Sequence, residues 1–343
     1  MSTSQPTGQP TGQPTSHRSR LDLFVDNVQA AKKGLVWKNT ILRRLAALLF
    51  AASRRPIDLD AIKASERRIK ESTGIFSTFR GNALLTVATL LALADDPDRL
   101  LSDTLEIYDL FKAASFSASD YLVIAACLAA GHAEPGQFEQ IARRSRAFYD
   151  GMKKDHWFLT GQDDVIFATM LGVSGLQVET GLVDLEQLYV DLKPEFRYGN
   201  SVQTLAQVLV LGGDPQALAA RVRSLNDACR TNGLRLDKET TLPTLGILAL
   251  LPQDRDTIVQ SIQAAFDQLR ARPGFGSWSI GKQELLLLAA ALVSFDSVDA
   301  MDRDIVTAAL STSIANIVIA QQTAVAVMAA TSASIAASSA ATS

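Results

Sequence analysis

The sequence predicts an all-α protein, an array of about seven helical hairpins wound either as an α-solenoid or as an α/α toroid. Three observations carry that expectation. Apolar residues make up 47% of the 343, yet aromatics only 6%. A core drawn largely from Leu and Ala suits helices, whereas a β-sandwich would draw on alternating Val, Thr and Tyr. Second, an Ala/Leu-rich run recurs about every forty residues, opening at Asn39, Asn82, Asp120, Asp164, Asn200, Thr241 and, less regularly, Lys282. That is the period of a helical-hairpin repeat. Third, more polar stretches lie between the runs. Three of them begin with Asp96-Pro97, Glu134-Pro135 and Asp214-Pro215. Proline fits the first helical position, where its missing N–H would be unpaired anyway.

Taken in order, residues 1–19 contain QPTGQPTGQPT. A segment so poor in apolar side chains cannot bury enough surface to fold and is expected to form a disordered tail. Leu21 to Lys33 reads as a short amphipathic helix with Leu21, Phe24, Val25 and Val28 on one face. The helical-repeat domain is set at 20–330. Each apolar run is read as the first helix of a hairpin, apolar nearly all round and therefore buried on most sides. Six of the seven open on Asn, Asp or Thr, side chains whose oxygen accepts from an orphan N–H at a helix start. A bulky residue precedes each opening: Trp37, Phe79, Phe116, Phe158, Phe196, Leu236, and Phe275 or Trp278. These are expected to plug the layers between hairpins, and Trp157 likewise. The polar second helices are placed at Pro97–Ala113, Pro135–Lys153, Gln177–Leu192, Pro215–Thr231 and Asp254–Arg272. Gly172, Gly175, Gly212 and Gly213 follow apolar runs and read as helix ends at positive φ. Ile314–Ala330 would supply the last second helix, and 331–343, rich in Ala, Ser and Thr, should fray.

Charge and cysteine usage narrow the setting. The net charge of −3 conceals a basic stretch from Arg18 to Arg80, with 14 Lys/Arg against 6 Asp/Glu. Because these charges alternate with core-spaced Leu and Ile, they read as the solvated faces of amphipathic helices. A nucleic-acid or membrane-surface role through this first hairpin is kept only as a second alternative. The two cysteines, Cys127 and Cys229, stand alone in apolar or helical runs, as in a reducing compartment. The N-terminus has no apolar core of a secretory signal and no run reaches transmembrane length, so a cytoplasmic location is expected.

Chemistry is sparse. The chain has no phosphate-binding glycine loop, nucleophile elbow, HExxH or Cys/His cluster. No cofactor, no metal and no catalytic residue are therefore assigned. In a hairpin array, loops of one kind share one rim. The rim before the apolar helices would carry Arg80, Asn82, Asp120, His156, Asp163, Asp164, Arg197 and Asn200, the candidate ligand-binding set. Helix capping and local ion pairs would account for most of them without function. In a toroid they would converge on a mouth able to bind a polar ligand or to do acid–base work between carboxylates.

Six stretches also carry a resemblance: Phe76-STFRGN, Tyr121-LVIAA, Arg146-AFYDGMK with Phe158-LTGQDD, and Leu192-KPEFRYGN with Val202-QTLAQVLVLGG. They resemble an uncharacterised bacterial family, domain-of-unknown-function family 4003, from about Leu21 into the C-terminal region. The resemblance implies a bacterial cytoplasmic setting and brings no activity, cofactor or site residue. The reading is therefore a helical-repeat binding or scaffold protein, with a protein, peptide or small polar ligand as partner. The alternative is an α/α-toroid enzyme, hydrolase-like, with acidic residues at its mouth.

Overall fold

The computed structural model describes residues 19–301 and 314–326. The tail set at 1–19 lies outside those residues except for Ser19, and the tail set at 331–343 lies wholly outside them. All regular structure among the described residues is helical. From Arg20 to Asp299 the α-helices fall into seven pairs: α1 (Arg20–Gly34) with α2 (Thr40–Ala52), α3 (Leu59–Ser72) with α4 (Ala83–Leu93), α5 (Pro97–Ala113) with α6 (Asp120–Ala130), α7 (Phe138–Asp155) with α8 (Asp164–Val173), α9 (Val178–Leu192) with α10 (Gly199–Leu209), α11 (Pro215–Thr231) with α12 (Leu242–Ala249), and α13 (Arg255–Arg270) with α14 (Lys282–Asp299).

The even-numbered helices are the apolar runs. Every residue from Leu122 to Ala130 is buried in α6, and every residue of α12. The odd-numbered helices bury one stripe each, such as Leu101, Thr104, Ile107 and Phe111 of α5, and give the other face to water. Their starts follow the sequence signals. Pro97 and Pro215 open α5 and α11, and Asp96 and Asp214 accept from the first free N–H groups.

The phase of the hairpin is the reverse of the sequence expectation. Each of α2, α4, α6, α8, α10 and α12 packs far more closely on the polar helix before it than on the one after it. An arginine device ties three of these pairs. Arg20 of α1 donates to Ala51 O (3.2 Å) and Ala52 O (3.3 Å). Arg144 of α7 donates to Gly172 O and Ser174 O (both 2.8 Å). Arg221 of α11 donates to Leu251 O (2.6 Å). In each case the guanidinium satisfies the carbonyls left open where the following apolar helix ends.

Two further expectations are corrected. The buried plugs are Phe79, Phe116, Phe196, Leu236 and Phe275, but Trp37, Trp157, Phe158 and Trp278 stand in solvent. Of the four glycines expected at positive φ, only Gly213 adopts it (φ 109°). Gly172 lies inside α8, where a Cβ would fall 2.3 Å from Ser145 Oγ. Its role is close approach of α7, not helix termination.

Successive apolar helices touch from α2 through α14, and α14 touches α2, while α1 touches α13 and α14. Ion pairs sit on this first-to-last junction. Arg20 binds Asp296 (2.6 Å) and Asp299 (2.5 Å), Arg44 binds Glu284 (2.6 Å), and Arg272 pairs with Asp22. Phe24 packs on Phe275 with ring centroids 5.6 Å apart.

Residues 314–326 are helical but do not join the polar layer, which corrects the reading of Ile314–Ala330 as a last second helix. Asn316 Nδ2 lies 3.5 Å from His132 Nε2, just beyond α6, and Gln321 donates to Thr244 Oγ1 of α12 at 3.3 Å. Ile314, Ile317, Val318, Ile319 and Ala320 are buried, and so are Asn316, Gln321, Gln322 and Thr323. The segment is enclosed by the apolar helices.

Candidate functional site

Capping was expected to occupy the asparagines and aspartates of the rim, and for most it does not. Asn39 caps its own helix, accepting from Ile41 N at 2.8 Å. Asn82, Asp163 and Thr241 stand at the start of their helices without a side-chain capping bond. Asp120 serves its neighbour instead. Ser119 caps α6, and Asp120 reaches back one pair to accept from Ala83 N (2.9 Å) and from Asn82 Nδ2 (3.2 Å). Gly81 makes this possible, because a Cβ there would lie 2.6 Å from Asp120 Oδ1.

Asp164 is almost wholly enclosed, with 1% of its surface exposed. Its Oδ2 accepts from Gly161 N at 2.8 Å, and its Oδ1 from Gln207 Nε2 at 2.6 Å. Gln203 Nε2 sits 3.5 Å from the same oxygen and bonds Thr160 Oγ1 at 3.0 Å. No cation is paired with the carboxylate among the described residues. Burial, and next the charge of Asp163, push Asp164 up to about 7, against the pull of the Gln207 and Gly161 bonds. The Oε1 atoms of Gln203 and Gln207 are buried without a partner. A protonated Asp164 would supply the missing donor to one of them once that amide turns over.

Above this group lies a small cavity of about 90 Å³, lined by Tyr121 of α6, Asp163 and Phe167, Asn200, Ser201 and Thr204 of α10, Glu239, Thr240, Pro243, and Ala320, Gln321, Ala324 and Val325 of the 314–326 helix. It opens where the apolar helices begin. Its lining has two carboxylates, four hydroxyls and two amides, and no lysine or arginine. The Asp163 side chain makes no hydrogen bond among the described residues. Burial, and then the fields of Asp163, Asp120 and Asp164, raise the Tyr121 phenol well above its ordinary value. It therefore stays a hydrogen-bond donor.

The structure thus brings Asp163, Asn200 and, just behind them, Asp120, Asn82 and Asp164 into one neighbourhood. Three expected members lie elsewhere. Arg80 donates to Thr73 O (2.7 Å) and Lys70 O at the end of α3. His156 sits 2.6 Å from Glu186 Oε2 with its ring 4.2 Å from that of Tyr189. Arg197 lies over the Tyr198 ring at 5.9 Å. Tyr121, Gln203, Gln207, Glu239 and Gln321 were missed. The one available signal was polar: Gln203 and Gln207 are spaced i, i+4 inside an otherwise apolar run, a pair that shares a helix face.

A family model described as "Protein of unknown function (DUF4003)" matches residues 27–324. The chain belongs to that family. The match takes in the 314–326 helix almost to its end, so the enclosed segment falls inside the DUF4003 region along with the repeats. This DUF4003 protein is also similar to the "Uncharacterized protein YeaA" of Bacillus subtilis (strain 168), 23% identical over 248 residues, which is 70% of this chain and 75% of that protein. No solved structure matches it.

Proposed function

We propose that this DUF4003 protein is a cytoplasmic binding protein, built as a closed α/α toroid, that takes a small polar ligand in the mouth cavity. Closure is supported by the succession of apolar helices that returns from α14 to α2, and by the ion pairs on that junction. The observation that carries the ligand reading is the cavity lining. Asp163 and Glu239, with hydroxyls and amides and no cationic side chain, suit an amine or a polyhydroxy compound. The free, buried cysteines Cys127 and Cys229 support a reducing compartment. The helix at 314–326 forms one wall, so Gln321 is assigned to ligand contact.

A hydrolase-like reading draws on Asp164, whose proton is held to about 7, as an acid beside Asp163. We rank it second, because Asp164 is enclosed and its oxygens are taken by Gly161 and Gln207.

The test is a thermal-shift screen with polyamines, amino sugars and polyols on the wild type, Asp163→Asn and Glu239→Gln. A ligand at 100 times its Kd should stabilise the fold by about 2.7 kcal/mol. The expected result is a shift that both variants reduce while keeping their unliganded Tm. Shifts identical in all three proteins would remove the mouth cavity as the site.

A further inference from the structure

The exposed apolar side chains of this protein are not scattered. Short connections separate each apolar helix from the next polar one, so all apolar helices run the same way. The seven loops leading into them therefore share one face. Of the large apolar residues standing in solvent among the described residues, all but Val183 and Val190 lie in these loops. Trp37 is 97% exposed, Phe76 102%, Trp278 104% and Trp157 74%, with Val36, Ile75 and Phe158 beside them. The chain's three tryptophans are all on this face.

Charge follows the same arc. Trp278, Trp37 and Phe76 belong to the last, first and second pairs, which touch in that order. Residues 271–282, 32–43 and 70–82, the loops and flanking turns of those pairs, contain eight lysines and arginines and one acidic residue, Glu71. Arg272 pairs with Asp22, Lys38 and Lys70 with Glu66, and Arg80 donates to Thr73 O, which leaves Lys32, Lys33, Arg43 and Lys282 without a carboxylate partner among the described residues.

Single apolar side chains scattered over a surface need no explanation, but seven large ones gathered in the loops of one face mark an interaction surface. Trp37, Phe76 and Trp278 make no ring contact with one another among the described residues. They stand as separate tips on loops whose flanking turns carry Lys32, Lys33 and Lys282. A protein partner would be expected to meet anchors clustered in a packed centre. Separate aromatic tips set in a basic field match a flat, deformable, anionic surface instead. Tryptophan favours the headgroup level of a bilayer, and juxtaposed Lys and Arg are drawn to anionic lipid.

We propose that this face docks on an anionic lipid bilayer, with the tips at Trp37, Phe76 and Trp278 seated in the interface and Lys32, Lys33, Arg43 and Lys282 facing the headgroups. No helix of the described residues is long and apolar enough to cross a membrane, so the attachment is peripheral. The proposal does not depend on what the mouth cavity binds.

The experiment is co-sedimentation and intrinsic fluorescence of the full chain with two kinds of vesicle, phosphatidylcholine alone and an equal mixture with phosphatidylglycerol. The expected result is tryptophan emission typical of water before mixing, and a blue shift with co-sedimentation on the anionic vesicles only. Lys32→Glu with Lys33→Glu should weaken binding by about tenfold or more. Trp37→Ser with Trp278→Ser should abolish the blue shift at an unchanged Tm, because both rings are exposed. Failure to bind anionic vesicles would overturn the proposal, as would binding indifferent to the tryptophan pair. Equal binding to neutral vesicles would overturn the role of charge. Blue, poorly quenched emission before any vesicle is added would mean that the chain itself or a second copy already covers the face, and would also overturn it.

Discussion

Asp164 shows how one side chain sets a cost that the rest of the fold carries. In the unfolded chain it ionises near the ordinary aspartate value, and in the fold it holds its proton to about 7. The folded state therefore binds the extra proton between those two values, and stability falls as pH rises through that window. Below the unfolded value the penalty is absent, and above about 7 it is complete. Asp164→Asn keeps an oxygen for Gly161 N–H and offers an N–H to the orphan Gln207 or Gln203 oxygen. The variant is expected to exceed the wild type in Tm, with a gap that widens from pH 4 to pH 7 and then levels, reaching on the order of 4 kcal/mol. A gap that does not change with pH would show that ionisation is not the cause. Little of this was legible in the sequence. Asp163-Asp164 was visible as a pair, and capping seemed a sufficient use for it. Which of the two is enclosed depends on Gln203 and Gln207, which arrive from the next pair of helices. Asp120 was misjudged for the same reason: its bond to Ala83 N crosses between pairs.

At the scale of elements, amphipathic and apolar helices sort as their periodicity requires, and the proline starts fall where they should. The 314–326 helix is the exception. It was taken for an outer helix because it follows an apolar one, yet Ile314, Ile317, Val318 and Ile319 are buried together with Asn316, Gln321, Gln322 and Thr323. An outer helix would have left those polar side chains to water. Here Asn316 and Gln321 are met by His132 and Thr244. Each buried Ile or Val contributes roughly 1.5–3 kcal/mol relative to exposure. A chain truncated after Ser313 is accordingly expected to melt at lower temperature and to bind a hydrophobic dye. A synthetic 314–326 peptide added in trans should reverse both effects. An unchanged Tm without dye binding would mean that the segment contributes no core.

For the whole molecule, the decisive contacts join the ends of the sequence. Arg20 is fully buried and spans both carbonyls at the end of α2 and two carboxylates near the end of α14. Burial lowers its pKa and Asp296 and Asp299 restore part of the loss. Removing one partner of such a buried pair leaves charge and carbonyls uncompensated. Arg20→Met is expected to cost about 3 kcal/mol, less than a fully enclosed pair would, because Asp296 and Asp299 are half exposed. Urea melts would measure it. Hydrogen exchange should show the loss concentrated in α1 and α14. A loss spread evenly over all pairs would count against a special role for this junction.

By itself the sequence determined the helical class, the seven apolar runs, most helix starts and the membership suggested by its Phe-Arg-Gly-Asn and Leu-Lys-Pro-Glu-Phe-Arg-Tyr-Gly-Asn stretches. These are local properties: periodicity, proline position and side-chain type act within a few residues of themselves. Tertiary structure alone decided the phase of the pairs, the meeting of the first pair with the last, the enclosure of 314–326 and the exposure of all three tryptophans. Those depend on which helix an arginine or a glutamine reaches across a gap of thirty to several hundred residues, and a bulky residue before a helix looks the same in sequence whether its ring turns inward or out.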